Sequence, residues 1–158
     1  MTLRRAAIVS PLRTPVGKFG GALATLNAGE LGGLILKALI ERTGIDPTRV
    51  DDVVFAQGYG SGEAPCIGHW SWLAAGLPIE VPGYQVDRRC GSGLQAIVNA
   101  AMMVQTGVSD VVVAGGPAGD PWRPEGSPAD RSGGRLRRTQ YHARHGQDDA
   151  RLCAPPAR

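Results

Sequence analysis

Two short runs constrain this chain more than any other feature, because neither alternates: Val53-Val54-Phe55-Ala56 and Val111-Val112-Val113-Ala114. A strand with one wetted face alternates apolar and polar residues. A run that is apolar at every position suits a strand covered on both faces, as in parallel sheets. The strands are expected over residues 52–56 and 110–116. Residues 4–10 hold a further run, Ala6-Ala7-Ile8-Val9, read as a first strand that ends at Pro11. Helical stretches lie between them. Asn27 is an N-cap for a helix over residues 28–42, with Glu30 in its first turn and Gly44 as its stop. Leu31, Leu34, Ile35, Ala38 and Leu39 form its apolar face. A second helix is expected over residues 66–75, and a third runs from the turn at Cys90 to a Gly107 cap. Strand–helix–strand–helix–strand–helix–strand in this order predicts an α/β domain on a mostly parallel sheet with right-handed crossovers.

The stretch from Tyr84 to Ile97 concentrates the chemistry. It opens extended, turns at Cys90-Gly91-Ser92-Gly93 and continues as an alanine-rich helix. A cysteine at a helix N-terminus meets unpaired N–H groups and the positive end of the helix dipole, which favour the nucleophilic thiolate. Arg88 and Arg89 add to this if they face the sulfur. Gly91 and Gly93 leave room for a carbonyl to approach the backbone. The competing reading is a small buried hydrophobe, the commoner role of a lone cysteine.

Arg89-Cys90-Gly91-Ser92-Gly93-Leu94-Gln95-Ala96-Ile97 resembles the nucleophile segment of the thiolases, the acetyl-CoA C-acyltransferases. Arg13-Thr14-Pro15-Val16-Gly17-Lys18-Phe19-Gly20-Gly21 is similar to the family's N-terminal signature. The resemblance covers residues 4–116. It implies a thiolase-like, mostly parallel sheet with covering helices, incomplete because only the N-terminal half of the fold is represented. It implies Cys90 as nucleophile and carrier of an acyl-thioester intermediate, with its backbone N–H as an oxyanion donor. The implied reaction is thioester exchange between acyl-CoA or 3-ketoacyl-CoA and CoA. Coenzyme A thioesters are then substrates, no further cofactor is implied, and the intact family assembles as dimers or tetramers. The family's Gly-His-Pro histidine, its asparagine-bearing motif and its second cysteine have no counterpart in this sequence. The chain alone is therefore expected to be inactive. The alternatives are a non-catalytic fragment and an interaction partner of a separate C-terminal half.

Other motifs are weaker. Lys18 in its Gly-rich loop lacks the spacing of a phosphate-binding loop. Cys66 and His69 sit at helical spacing without complementary ligands, so a packed helix is the simpler reading. Trp70 and Trp72 are candidates for a subunit contact, since that region lies near one in dimeric thiolases. Gly58-Tyr59-Gly60-Ser61-Gly62 is a candidate active-site loop. Three cysteines without framework or metal spacing suit a reducing cytoplasm. No apolar run reaches the length of a membrane span.

At Pro117 the composition changes. Up to Gly116, nine Lys and Arg balance nine Asp and Glu, whereas residues 117–158 carry eight Arg against five acids. The body thus offers no electrostatic case for nucleic acid. That tail has six Pro and five Gly, with Leu136 and Leu152 its only large aliphatic residues. It is expected to be disordered for want of apolar surface, and a shifted or truncated reading frame is the expected origin. His142, His145 and Cys153 make no matched ligand set.

Overall fold

In the computed structural model, residues 3–18, 21–60, 62 and 64–117 are described. Residues 118–158, with the expected disorder and with His142, His145 and Cys153, lie outside the described residues. Helix α1 (Ala28–Thr43) begins as its sequence dictates. Asn27 Oδ1 accepts the Glu30 N–H at 2.8 Å, and the Glu30 carboxylate accepts the Asn27 N–H at 2.8 Å. This reciprocal box satisfies two donors that the helix cannot. Gly44, at φ 64°, closes the helix with its N–H on Ile40 O.

Next come β1 (Asp52–Ala56), α2 (Ile67–Ala74), β2 (Gly83–Val86), α3 (Ser92–Thr106) and β3 (Val112–Gly115). The sheet order is β2-β1-β3 and both pairings are parallel, with Val54 opposite Tyr84 on one side and Ala114 on the other. β1 is the central strand and its side chains are divided between two apolar layers. Val53 and Phe55 enter the layer built by α1 and α2, with Leu36, Ile67 and Trp72. Val54 and Ala56 enter the layer under α3, with Ala96. The unbroken apolar run is thus explained by helices on both faces.

Helix α2 lies unusually close to the sheet. A β-carbon added to Gly68 would stand 2.5 Å from Val53 O and 2.8 Å from Tyr84 O, so any side chain there would strike strand backbone. The approach carries Trp72 into the core, fully buried, where its indole N–H donates to Pro78 O at 2.8 Å. The expectation of a subunit contact through Trp72 is thereby corrected.

Two further expectations are corrected. Residues 4–10 form no strand. The Arg4 N–H donates to Gln105 O at 2.9 Å and its guanidinium pairs with Asp110 at 2.6 Å, but no ladder follows. A strand requires a neighbour, and among the described residues β3 pairs only with β1. Ile8 and Val9 are left 77% and 74% exposed. In α1 the buried residues are Ala28, Gly29, Gly32, Gly33 and Leu36, while Leu34 and Ala38 face solvent. Trp70 and Ser71 of α2 fill the space that side chains at Gly29 and Gly32 would need, so the glycines turn inward.

Asp51 fastens the start of β3 beside β1. Its carboxylate accepts the Val111 N–H at 2.9 Å and the Asp110 N–H at 2.7 Å. These bonds, that to Val111 foremost, hold its pKa below the ordinary carboxylate value. A folded-state pKa below the unfolded one contributes stability that is present above the unfolded value and lost as pH falls through the folded one. Neighbouring Asp52 is shifted upward, chiefly by burial, so its ionisation works in the opposite direction. Asp51→Asn is therefore expected to lower the melting temperature at neutral pH. The gap from the parent should close as pH falls from the ordinary carboxylate range through the lower folded-state value. A gap that stays constant across that range would contradict the assignment.

Candidate active site at the Cys90 turn

Beyond Val86 the chain makes a 3-10 turn over Arg89–Gly91 and enters α3 at Ser92. Cys90 thus lies just before the helix, at the carboxyl end of β2, where ligands bind in open α/β sheets. It is exposed and free, not the buried hydrophobe of the competing reading.

The turn is strained and then clamped. Arg89 has φ 50°, a left-handed conformation that costs a non-glycine residue about 1–2 kcal/mol. Several contacts hold it there. Its N–H donates to Asp87 Oδ1 at 3.1 Å, and its guanidinium reaches Asp87 Oδ2 at 2.5 Å and Gly58 O at 2.6 Å. The same guanidinium lies 5.0 Å over the Tyr59 ring. Buried Ser92 completes the clamp: its Oγ accepts the Arg88 N–H and donates to Arg89 O, both at 2.7 Å.

The two arginines are therefore engaged by other groups. Arg88 donates to Gln95 Oε1, whose side-chain amide N–H donates to Asn99 Oδ1 at 2.7 Å; Asn99 in turn donates to the Tyr84 hydroxyl at 3.3 Å. A polar chain thus runs along one flank of α3 into the sheet. The N-cap, Gly91, provides no side-chain acceptor for the first turn of α3. The Gly91 N–H is taken by Arg88 O at 3.0 Å and the Ser92 N–H by Arg89 O.

The loop after β1, the candidate active-site loop, meets the Cys90 turn through Gly58 and Tyr59; Ser61 lies outside the described residues. Cys66 and His69 do not form a pair. The Cys66 thiol donates to Gly83 O at 3.0 Å, while His69 Nδ1 lies 3.1 Å from Val81 O. Gln57, unremarked in the sequence, is buried at the exit of β1 with neither amide atom hydrogen-bonded. Its backbone N–H donates to Val86 O at 3.1 Å, tying the β1 exit to the end of β2. A Gln after an apolar run was the only signal for it. Among the described residues no three His, Cys, Asp or Glu side chains are grouped to hold a metal, and no helix is long and apolar enough to cross a membrane.

Comparison with known proteins returns one consistent family. The profile described as "Thiolase, N-terminal domain" matches residues 6–119. A steroid 3-ketoacyl-CoA thiolase of Mycobacterium tuberculosis is 48% identical over 116 residues, which cover 72% of this chain and 28% of the relative. A probable acetyl-CoA acetyltransferase of Escherichia coli is 43% identical over 114 residues, covering 72% of this chain and 29% of its own length. The crystal structure of the Bacillus anthracis acetyl-CoA acetyltransferase superposes with a TM-score of 0.70 at 40% identity, covering 73% of this chain and 29% of that one. The chain thus spans less than a third of the length of these relatives.

Proposed function

The chain belongs to the thiolase family, matched through that family's N-terminal domain, and on this premise we propose that Cys90 is the nucleophile of a thioester exchange. The observation that carries the reading is the position of Cys90: an exposed thiol on a clamped turn, immediately ahead of a helix N-terminus with no side-chain cap.

In this reading the Cys90 thiolate attacks the thioester carbonyl of an acyl-CoA. The carbonyl π electrons move onto oxygen, and the resulting oxyanion is met by the Cys90 backbone N–H and the positive end of α3. Collapse of the tetrahedral species expels the CoA thiolate and leaves an acyl group on Cys90 Sγ. A second CoA thiolate reverses the steps and carries the acyl group away. With a 3-ketoacyl-CoA the thiolate attacks the keto carbon, and the C2–C3 bond breaks to release the carbanion of acetyl-CoA. Coenzyme A thioesters are the substrates, with no separate cofactor. The sparse cysteines support a reducing, cytoplasmic setting.

The test is covalent trapping. The full chain is incubated with acetyl-CoA and its cysteine peptides are mapped by mass spectrometry. An acetyl thioester on the Cys90 peptide, with Cys66 and Cys153 left free, is the expected result. Label on Cys66 or Cys153 without Cys90, or on none of the three cysteines, would sink the reading.

A further inference from the structure

The backbone N–H groups of the Cys90 turn are taken one after another, with a single exception. The Arg88 N–H donates to Ser92 Oγ at 2.7 Å and the Arg89 N–H to Asp87 Oδ1 at 3.1 Å. The Gly91 N–H is held by Arg88 O and the Ser92 N–H by Arg89 O. Among the described residues no atom accepts the Cys90 N–H. It belongs to the peptide that joins Arg89 to Cys90, so rotation about the Arg89 backbone redirects it.

Ser92 ties that backbone down from the far side of Cys90. It is buried, while every other residue from Asp87 to Leu94 is exposed. A serine hydroxyl has one proton to give and lone pairs to accept with, and both functions are in use. The proton goes to Arg89 O at 2.7 Å, and the oxygen accepts the Arg88 N–H. One side chain thus reaches back across the nucleophile and fixes the peptide groups on either side of the Arg88 α-carbon and beyond Arg89. Arg89 needs such a hold, because at φ 50° it is left-handed, a conformation that residues other than glycine tend to leave.

We propose that Ser92 is a positioning residue for acylation: its hydroxyl holds Arg89 left-handed and so keeps the Cys90 N–H unpaired and aimed as the oxyanion donor. The inference rests on the reading of Cys90 as nucleophile and adds to it the group that readies the donor. Ser92 acts here through the backbone and not on the sulfur. Two reactions of the same thiol should therefore come apart. Attack on a thioester builds negative charge on the carbonyl oxygen and needs the donor. Alkylation by iodoacetamide forms the S–C bond as iodide leaves a saturated carbon, and builds no oxyanion.

The test measures both rates at the Cys90 peptide by mass spectrometry, in the full chain and in Ser92→Ala, at one pH. With acetyl-CoA, Ser92→Ala should react about 10²-fold more slowly, as a displacement of about 1 Å at a reacting site can cause, and with iodoacetamide it should stay within about threefold of the parent. Ser92→Thr keeps the hydroxyl and should acetylate within about threefold of the parent. It carries the test if circular dichroism shows Ser92→Ala unfolded. Equal acetylation of parent and Ser92→Ala overturns the inference and leaves the nucleophile reading standing. A parallel fall in both rates also overturns it, since that marks a structural role alone, as does loss of acetylation in a folded Ser92→Thr. Absence of acetyl from Cys90 of the parent overturns the nucleophile reading and this inference together.

Discussion

Trp72→Ala is expected to lower the unfolding free energy by about 3–5 kcal/mol, the range for deleting a buried indole. The side chain is fully buried among residues of α1, α2 and β1, so its removal leaves a hollow in the layer that joins them. Helix α2 has little freedom to settle into that hollow. Its Gly68 already touches the backbone of β1 and β2, so the helix cannot move nearer the sheet. The change also leaves Pro78 O, at a part-buried position, without the indole N–H that now reaches it at 2.8 Å. Against a total of about 5–15 kcal/mol for an ordinary domain, such a loss leaves a small margin or none. Urea unfolding followed by circular dichroism measures it. Leu34→Ala, on the exposed side of α1, should change the unfolding free energy by no more than about 0.5 kcal/mol. A Trp72→Ala loss below about 1 kcal/mol would mean that the α1–α2 layer does not hold the fold together.

The same contrast separates what the sequence displays from what it conceals. The Asn27–Glu30 box and the Gly44 and Gly107 stops are local, decided within a few residues, and each is read directly from the chain. The unbroken apolar run of β1 is nearly as plain, because burial on both faces leaves no polar position to misread; β3 has the same pattern and is only half-buried. The face that α1 buries is another matter. Leu31, Leu34, Ile35, Ala38 and Leu39 make a better apolar stripe than the glycines do, yet Trp70 and Ser71 decide the contact, and they arrive from another helix. The run at residues 4–10 has the composition of a strand and, among the described residues, pairs with no other strand. At the site, Cys90-Gly91-Ser92-Gly93 announces a turn into a helix. The left-handed Arg89 and the clamp made by Asp87, Tyr59 and Ser92 depend on a loop some thirty residues earlier, so pattern alone could not place them.

Under the proposed function, Cys90→Ala is expected to abolish acylation by acetyl-CoA, while the parent chain should acylate and then stall. Nucleophilic attack needs the sulfur itself, and the nearby Ser92 hydroxyl does not replace it, because its Oγ is buried and committed to Arg88 and Arg89. Sustained turnover needs more. A positioned base that makes the thiolate contributes typically 10²–10⁴-fold, and a lost oxyanion donor costs about 10²–10³-fold. The sequence has no Gly-His-Pro string of the kind the thiolase resemblance leads one to expect for that base. Among the described residues the single histidine, His69, lies against Val81 O. On that reading, a chain without such a base is expected to turn over about 10²–10⁴-fold more slowly than a site that has one. CoA release from acetyl-CoA should therefore show a slow burst of at most one equivalent per chain, followed by almost no further release. Cys66→Ala should preserve the burst and Cys90→Ala should remove it. Multiple turnovers by the unmodified chain would show that a base is already present in it. A burst that survives Cys90→Ala would move the chemistry away from this turn altogether.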